Sequence, residues 1–305
     1  MTQKIGQSNT FSYKGKVGWC GLGAMGSAMA PHLLAATENL LGYDVDPQVW
    51  KTTLSSSELQ RAQQLTDLAQ TDTLITMLPD GPAVRSVCET VLSAGFSGTI
   101  IDMSSCHPRD SLSLADNIIA EGSCFIDAPV SGGVAKAASA ELMIMAGGKD
   151  DDICGVQTLL TAMGNLQHVG PVGAGHAMKA LNNYVSAAGL LASFQALATA
   201  KDAGISPETF IKVINSSTGR NNTTEVKLEK FVLPETFNSG FALQLMAKDV
   251  NIARELIEAA GYTTPVTPAL AACLDSAVSA LGQQADHTAL YSYLTDKQFP
   301  QEFNR

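Results

Sequence analysis

Short apolar segments recur along the first half of the chain and disappear after Gly173. They alternate with helix-like stretches, which is the pattern of βα units on a parallel sheet. Most are apolar at every position, as expected for strands covered by helices on both faces. The pattern predicts an α/β fold that begins with a doubly wound sheet. The predicted strands are Val17–Cys20, Leu40–Asp44, Thr73–Leu78, Thr99–Met103, Phe125–Val130 and Leu142–Ala146.

The rest of the chain has the pattern of an all-α domain. Alanine- and leucine-rich segments follow one another there, separated by glycine and proline. The first predicted helix runs from about His176 to Ala203, a length of about 40 Å. Its charges lie near its ends, so most of its faces need to be covered. We therefore predict two domains, residues 1–173 and 174–305, joined by a long helix that also packs against a second subunit in a homodimer or homotetramer.

The amino-acid composition limits the classes of protein to which the chain can belong. Of the 305 residues, 45% are hydrophobic and 16% are charged, which excludes a disordered chain. The net charge is −10 and basic residues do not cluster, so neither nucleic acid nor a membrane surface is expected as a partner. The cysteines form no C-x-x-C pair and the N-terminal segment lacks the apolar core of a signal peptide, which favours a cytoplasmic location. Residues 180–200 are uncharged, but Asn182 and Asn183 favour a buried helix over a membrane span.

A glycine-rich motif follows the first predicted strand. Gly21, Gly23 and Gly26 form G-x-G-x-x-G, which gives a tight turn, an open approach for a pyrophosphate, and close packing of helix on strand. Asp44, at the end of the second predicted strand, can accept hydrogen bonds from a ribose and would repel a 2′-phosphate. The sequence therefore predicts a Rossmann domain that binds NAD in preference to NADP. Pro31 is expected to interrupt the helix that follows.

Two further segments carry groups suited to catalysis, and the first lies on the long helix. Gly175, Lys179 and Asn183 are spaced at i, i+4 and i+8, so they share one face of that helix. A glycine there would leave room beside the lysine. Burial against an apolar helix would lower the pKa of the lysine toward a range useful for proton transfer. A solvated lysine at a helix start is the alternative interpretation.

The second segment is Ser131-Gly132-Gly133, after a predicted strand. It offers a hydroxyl and backbone N–H groups to a carboxylate at the edge of the sheet where ligands bind. An ordinary strand-to-loop turn fits these residues as well. The serine lacks the preceding glycine of a nucleophile elbow, so acyl transfer is not expected. The five histidines show no metal-ligand spacing, and we predict no metal.

Taken together, these motifs resemble the β-hydroxyacid dehydrogenase family, whose members include 3-hydroxyisobutyrate dehydrogenase and 2-hydroxy-3-oxopropionate (tartronate semialdehyde) reductase. The resemblance extends from Val17 to about Leu294. The matching segments are Gly21-Leu-Gly23-Ala-Met-Gly26, Met77-Leu78-Pro79, Asp102-Met-Ser104-Ser105, Asp127-Ala-Pro-Val-Ser131-Gly132-Gly133, Gly175-x-x-x-Lys179-x-x-x-Asn183 and Lys248-Asp249.

The resemblance implies a role for each motif. Lys179 is implied to be the catalytic acid/base and Asn183 to orient the substrate. The segment Ser131, Gly132 and Gly133 is implied to bind the substrate carboxylate. The implied reaction is hydride transfer, without a metal, between the nicotinamide and the carbinol carbon of a small 3-hydroxy acid. The implied cofactor-binding residues are Gly21, Leu22, Gly23, Met25, Gly26, Asp44, Leu78, Pro79, Ser105 and Lys248.

Departures from the family pattern concern the substrate. Ala140 stands where the family commonly has glycine, and Asn221 and Asn222 stand where an aromatic residue is frequent. A polar pocket wall would suit a hydroxylated acid. Arg220 could contact a second carboxylate or lie exposed in its turn. The segment at 286–290 resembles the reductase, whereas that at 240–249 resembles the isobutyrate enzyme.

These features predict a 3-hydroxyisobutyrate dehydrogenase-like activity. A 2-hydroxy-3-oxopropionate reductase, or another polyhydroxy-acid dehydrogenase, is the alternative. A non-catalytic dinucleotide-binding protein is the alternative of a different class. The pair formed by Lys179 and Asn183 disfavours it, since a scaffold has no need for that pair.

Overall fold

The structure is a computed structural model that describes residues 13–37, 39–52 and 59–296. It divides into two compact units between Lys179 and Ala180. The first unit holds a sheet with helices, and the second is helical. The fold class predicted from the sequence is therefore confirmed. The N-terminal segment, for which we predicted no signal peptide, lies largely outside the described residues.

The first unit is built on one sheet. Its described strands are β1 (Val17–Cys20), β2 (Leu40–Tyr43), β3 (Gln60–Arg61), β4 (Thr73–Thr76), β5 (Thr99–Asp102), β6 (Cys124–Asp127), β7 (Val130–Ser131), β8 (Leu142–Gly147) and β9 (Gly164–Gly170). They lie in the order β3-β2-β1-β4-β5-β6-β8-β7, and β9 pairs with β8. The strands from β3 to β6 are parallel, whereas β8 is antiparallel to β6 and β7. The parallel part therefore aligns the carboxyl ends of six strands along one edge.

The burial of the central strands explains why they carry apolar residues at consecutive positions. Neighbouring residues on a strand point to opposite faces of a sheet. Ile100 and Phe125 belong to one buried cluster, and the residues after them, Ile101 and Ile126, belong to another. The strands β5 and β6 therefore each contribute to two cores, one on each face.

The helices of the first unit surround this sheet. They are α1 (Ala24–Met29), α2 (Val49–Thr52), α3 (Gly81–Ser93), α4 (Pro108–Ala120), α5 (Gly133–Ala138) and α6 (Asp150–Thr161), with 3-10 helices at Ala30–Ala35 and Leu65–Gln70. As predicted, Pro31 interrupts the first helix: α1 ends at Met29 and the tighter helix follows. Proline has no N–H to continue the α-helical hydrogen bonding.

Several predictions about strands need correction, and the two-residue strand β3 was not predicted at all. The single strand predicted at Phe125–Val130 is wrong, because β6 ends at Asp127 and β7 is a separate strand. Pro129 between them has no N–H for a ladder. The prediction missed β9, whose exposed positions include Asn165, Gln167 and His168, so its pattern is that of a polar loop. It also placed Asp44 on β2, whereas the strand ends one residue earlier.

The second unit is helical, as predicted. Its elements are α7 (Ala174–Asp202), α8 (Pro207–Asn215), a π-helix (Thr223–Val232), α9 (Leu243–Ala259), α10 (Val266–Leu281), a 3-10 helix (His287–Ala289) and α11 (Leu290–Thr295). The long helix α7 begins in the first unit and continues into the second. Its buried Phe194 meets Tyr291 edge to face, with ring centroids 5.5 Å apart. Among the described helices, none has the length and apolar character needed to cross a membrane.

Candidate active site

The glycine-rich turn lies between β1 and α1. Gly21 has φ +98°, and a Cβ there would lie 2.3 Å from the carbonyl oxygen of Met77. A Cβ on Gly26 would lie 2.0 Å from the carbonyl oxygen of Gly21. These two glycines are therefore required by the fold itself. A Cβ on the exposed Gly23 would meet nothing within 4 Å, so this side of the turn is open to a ligand, as a dinucleotide pyrophosphate requires.

Asp44 holds the turn from the neighbouring strand. Its Oδ2 accepts a hydrogen bond from Leu22 N at 2.6 Å, and its Oδ1 accepts one from Asp46 N at 2.8 Å. The carboxylate is partly exposed and each oxygen has a further lone pair, so it can also accept from a ribose hydroxyl. The geometry of Asp44 is thus compatible with the predicted hydrogen bond to a ribose. Asp44 also fixes the conformation of the glycine-rich turn.

The segments after β4 and β5 lie beside the same turn. Leu78 N donates a hydrogen bond to Ser104 Oγ at 2.9 Å, which connects the two segments. Pro79 and Ser105 are the next residues in each. Three of the residues predicted to contact the cofactor therefore lie along one edge of the sheet. Lys248 belongs instead to α9 in the second unit, and its cofactor role remains a prediction.

Lys179 lies beside the proposed carboxylate-binding segment. Its Nζ donates a hydrogen bond to the carbonyl oxygen of Val130 at 2.8 Å, and Val130 precedes Ser131 in β7. Gly132 and Gly133 follow with φ +143° and +69°, values that favour glycine. A Cβ on Gly133 would meet nothing within 4 Å. The structure therefore brings Lys179 and the predicted Ser-Gly-Gly segment together.

Gly175 has a different role from the one predicted. A Cβ there would lie 2.4 Å from the carbonyl oxygen of Met145 and 2.6 Å from that of Asp127. The glycine therefore allows α7 to approach the backbone of the sheet. It is required because a side chain at position 175 would clash with strands β6 and β8. The expectation that it leaves room for the lysine is corrected accordingly.

Two buried groups, whose roles were not predicted from the sequence, hold the first turn of α7. Asp127 Oδ1 accepts from Gly173 N at 2.7 Å, and its Oδ2 accepts from His176 N at 2.8 Å. Two backbone N–H groups of the helix start are thereby satisfied. Burial raises the pKa of Asp127, while the neighbouring His176 and these two N–H groups act in the opposite direction. The carboxylate therefore fixes the part of α7 that carries Lys179.

The ring of His176 connects α7 to two other segments. Its Nε2 lies 3.1 Å from the carbonyl oxygen of Ser104, and its Nδ1 lies 2.6 Å from Ser111 Oγ. Because a carbonyl can only accept, Nε2 carries the proton and Nδ1 accepts from the hydroxyl. His176 precedes Lys179 by three residues, so it lies one turn away on a neighbouring face. That spacing is the one signal in the sequence that could have drawn attention to it.

Asn183 lies one turn beyond Lys179 on α7 and is buried. Its Nδ2 donates a hydrogen bond to Asp249 Oδ2 at 2.5 Å. Its Oδ1 accepts one from Asn182 Nδ2 at 3.0 Å. Because a carboxylate only accepts, Asp249 fixes which end of the amide is the donor. Asp249, the second residue of the Lys248-Asp249 motif, thus orients the amide that we predicted to orient the substrate.

Comparison with known proteins agrees with this geometry. Residues 16–173 match the family model described as the NAD binding domain of 6-phosphogluconate dehydrogenase. Residues 173–294 match the model described as NAD-binding of NADP-dependent 3-hydroxyisobutyrate dehydrogenase. The chain belongs to the β-hydroxyacid dehydrogenase family. The membership predicted from the sequence is confirmed, and with it an NAD-binding oxidoreductase that acts on hydroxyacids.

Individual relatives of this hydroxyacid dehydrogenase cover most of its length. The 2-(hydroxymethyl)glutarate dehydrogenase of Eubacterium barkeri is 34% identical over 261 residues, which are 83% of this chain and 85% of that protein. The mitochondrial 3-hydroxyisobutyrate dehydrogenase of Homo sapiens is 34% identical over 260 residues, 81% of this chain and 77% of that one. The solved structure of the Mycobacterium tuberculosis 3-hydroxyisobutyrate dehydrogenase with L-serine has a TM-score of 0.84 at 28% identity, covering 93% and 99% of the two chains.

The structure describes the surroundings of two residues that bear on the choice of substrate, Ala140 and Arg220. Ala140 has φ 55°, in the left-handed region that favours glycine, which explains why glycine is common there. Arg220 is exposed and forms an ion pair with Glu225, with 3.5 Å between Nε and Oε1. The side chain therefore has a local partner in its own turn. A role for Arg220 in binding a second carboxylate remains untested.

One group of described residues has the composition of a metal site. The ligand atoms of Asp102, Cys106 and His176 all lie within 4.8 Å of one another, and all three residues are buried. Cys106 Sγ donates to Asp102 Oδ2 at 3.4 Å, and the ring of His176 already bonds Ser104 and Ser111. These bonds account for the cluster without a metal. Our prediction that the enzyme uses no metal remains a prediction.

Proposed function

We propose that the protein is an NAD-dependent 3-hydroxyacid dehydrogenase in which Lys179 is the catalytic acid/base. The observation that carries the proposal is the position of the Lys179 ammonium, 2.8 Å from the carbonyl oxygen of Val130 and next to the Ser131-Gly132-Gly133 segment. A non-catalytic dinucleotide-binding protein would have no need for a lysine held beside such a segment. We therefore favour the enzyme over this alternative.

The residues of the chain supply the following chemistry. The hydroxyl of Ser131 and the backbone N–H groups of Gly132 and Gly133 bind the substrate carboxylate. Lys179 accepts the hydroxyl proton during oxidation and donates a proton to the carbonyl oxygen during reduction. Asn183, oriented by Asp249, hydrogen-bonds the substrate. NAD, when bound, supplies the nicotinamide that exchanges hydride with the substrate.

We further propose that NAD is preferred to NADP. Asp44, which directly follows β2, supports this preference because its negative charge would repel a 2′-phosphate on the ribose. Val45, Asp46 and Pro47 follow it, so no arginine is present there to receive that phosphate. The ratio of kcat/KM for the two cofactors measures the preference.

The substrate is proposed as a small 3-hydroxy carboxylic acid of the 3-hydroxyisobutyrate type. The mitochondrial and mycobacterial relatives named above support this choice. The polar Asn221 and Asn222 keep 2-hydroxy-3-oxopropionate or another polyhydroxy acid as the second candidate. Initial rates with 3-hydroxyisobutyrate, glycerate, threonate, serine and 3-hydroxypropionate, followed by NADH absorbance, compare these candidates directly.

The variant Lys179→Ala tests the role of the lysine. We expect kcat to fall below 1% of wild type, since general acid/base catalysis contributes about 10²- to 10⁴-fold. The affinity for NADH should be unchanged by fluorescence titration. Lys149→Ala, an exposed lysine of the same unit, is the matched control and should keep full activity. Retention of more than a few percent of kcat by Lys179→Ala would overturn the assignment.

We also propose a homodimer or homotetramer and a cytoplasmic location. Met178, Leu181 and Val185 form an exposed apolar stripe on α7, and Val185 is 68% exposed, which supports pairing with a second copy. The six cysteines are free thiols, which supports a reducing compartment. Sedimentation of wild type and Val185→Glu at micromolar concentration tests the first proposal, and a monomeric, fully active wild type would refute it. Cell fractionation tests the second.

A further inference from the structure

One buried cluster of the first unit combines three kinds of metal-ligating side chain and lies outside the proposed hydride transfer. It consists of Asp102 at the end of β5, Cys106 shortly after it, and His176 in the first turn of α7. All three residues are buried, and their ligand atoms lie within 4.8 Å of one another. The hydrogen bonds described above belong to the protonated cluster, in which the thiol and the ring each hold a proton that a cation can replace.

The carboxylate of this cluster has one well-satisfied oxygen and one poorly satisfied oxygen. Asp102 Oδ1 accepts hydrogen bonds from Thr76 Oγ1 at 2.9 Å and from Ser104 N at 3.1 Å. Its Oδ2 accepts from Cys106 Sγ at 3.4 Å, and a thiol is a weak donor. The Nε2 of His176 is 3.7 Å from Oδ2, and its proton is directed to the carbonyl of Ser104 instead. A buried carboxylate oxygen in this state favours a cation.

The distances within the cluster are close to those of a tetrahedral zinc site. Zinc bonds of about 2.0 Å to nitrogen and oxygen and about 2.3 Å to sulfur give separations of about 3.3–3.5 Å between ligand atoms. The observed separations from Asp102 Oδ2 are 3.7 Å to His176 Nε2 and 3.4 Å to Cys106 Sγ. The carbonyl oxygen of Ser104 lies 3.1 Å from the same Nε2. The sulfur and the ring nitrogen are at most 4.8 Å apart, so a movement of the cysteine side chain by about 1 Å closes the site.

The contact on the other side of the His176 ring suits a ring that binds a metal. A metal-bound imidazole normally donates the proton of its second nitrogen to an oxygen that fixes the orientation of the ring. Ser111 Oγ is buried and lies 2.6 Å from Nδ1, so it can accept this proton. When a cation binds Nε2, the ring proton moves to Nδ1 and the thiol of Cys106 becomes a thiolate. The net change is the release of one proton, from Cys106, for each ion bound.

We propose that Asp102, Cys106 and His176 bind a Zn²⁺ ion, with the carbonyl oxygen of Ser104 as the fourth ligand. The inference does not rest on the proposed function, and the hydride transfer itself still uses no metal. Thiolate, imidazole and carboxylate together suit Zn²⁺, whereas Mg²⁺ and Ca²⁺ prefer oxygen ligands. Because the ligands come from β5, the segment after it and α7, the ion holds the start of α7 to the sheet.

Titration of the full chain with Zn²⁺ tests the proposal. The protein, freed of any histidine tag and treated with chelator and reductant, competes for the ion with a chromophoric chelator. We expect one tightly bound ion per chain. Cys106→Ser, which keeps the size of the side chain, should lower the affinity by about 100-fold or more, because it removes the thiolate. Cys154→Ser, at an exposed free cysteine of the same unit, is the matched control and should leave the affinity unchanged.

The wild-type protein gives readouts that need no variant. X-ray absorption at the zinc edge should show one sulfur at about 2.3 Å with nitrogen and oxygen ligands at about 2.0 Å. Co²⁺ in place of Zn²⁺ should give the near-ultraviolet charge-transfer band of a cobalt thiolate. The ion should raise the melting temperature by roughly 5 °C at about a hundredfold excess over its dissociation constant, and Mg²⁺ should not. These measurements decide the matter even if Cys106→Ser does not fold.

An adventitious ion at the surface is the outcome that overturns the proposal. His168 Nδ1 lies 2.8 Å from Asp150 Oδ1 in an exposed pair that could hold an ion without a thiol. His168→Gln should therefore leave the affinity for Zn²⁺ unchanged. A zinc shell without sulfur, or an affinity that Cys106→Ser leaves intact or that His168→Gln abolishes, refutes the buried site. None of these results bears on the dehydrogenase activity, whose own test is Lys179→Ala.

Discussion

Lys227, a partly buried residue of the π-helix Thr223–Val232, should weaken the fold that contains it, and the effect should depend on pH in a defined direction. Burial without a close carboxylate lowers its pKa from 10.5 to about 8. The folded chain therefore holds a cation at a cost below pH 8, where both the folded and the unfolded states are protonated. Between pH 8 and 10.5 the folded state loses the proton first, so wild-type stability rises with pH. Above pH 10.5 the cost has disappeared.

The structure sets the size of the effect. The difference between 10.5 and about 8, at about 1.36 kcal/mol per pH unit, gives about 3 kcal/mol. Partial solvent access reduces this figure, and a variant loses the hydrogen bond from Nζ to Ser186 Oγ. We therefore expect Lys227→Met to raise the free energy of unfolding by about 1–3 kcal/mol at pH 7 and by about zero at pH 10.5. Lys230→Met on the exposed face should change it by less than about 0.5 kcal/mol.

Urea denaturation at several pH values between 6.5 and 10.5, followed by circular dichroism, measures the difference. A gain at pH 7 that shrinks as the pH rises is the expected result. A Lys227→Met variant that is less stable than wild type at pH 7 would show that the lysine contributes favourable contacts in the folded protein.

Four further substitutions separate effects on binding from effects on folding. Gly23→Val should leave the melting temperature within about 1 °C but raise the NAD dissociation constant at least tenfold. Gly26→Ala should instead destabilise the fold, because a Cβ at position 26 meets the backbone whereas a Cβ at position 23 does not. Calorimetry measures NAD binding and thermal denaturation measures stability for both variants. Asp44→Asn keeps an acceptor for the loop but removes the charge, so kcat/KM with NADP should rise about fivefold or more. His176→Phe leaves Ser111 Oγ and the carbonyl oxygen of Ser104 buried without their ring partner. The variant should lower the free energy of unfolding in urea by about 2–4 kcal/mol and should also reduce kcat. An unchanged stability would contradict the hydrogen-bond network of His176.

The features that the sequence predicted well depend on neighbours in the chain. Gly21 forms the tight turn directly after β1, and Gly26 lies within α1, where it packs against that turn. The strands were recognisable because covering both faces of a sheet requires apolar residues such as Ile100 and Ile101 at consecutive positions. The location of Lys179 and Asn183 on one helix was also predicted from the sequence.

The features that escaped prediction depend on contacts between distant segments. Ser111 and Ser104 bond His176 from 65 and 72 residues away, and no local pattern shows that these three meet. Lys227 reaches Ser186 across 41 residues for the same reason. Gly175 was recognised, but its role was not, because the backbone it approaches belongs to other strands.

The anchor at the start of α7 ties the position of Lys179 to the strands of the first unit. Asp127 at the end of β6 accepts from the backbone N–H of His176, and the carbonyl of Val130 in β7 accepts from Lys179 Nζ. Both contacts come from the chain segment that continues into Ser131, Gly132 and Gly133. A substitution that displaces this segment would therefore move the ammonium and the Ser-Gly-Gly segment together, so their spacing would be preserved.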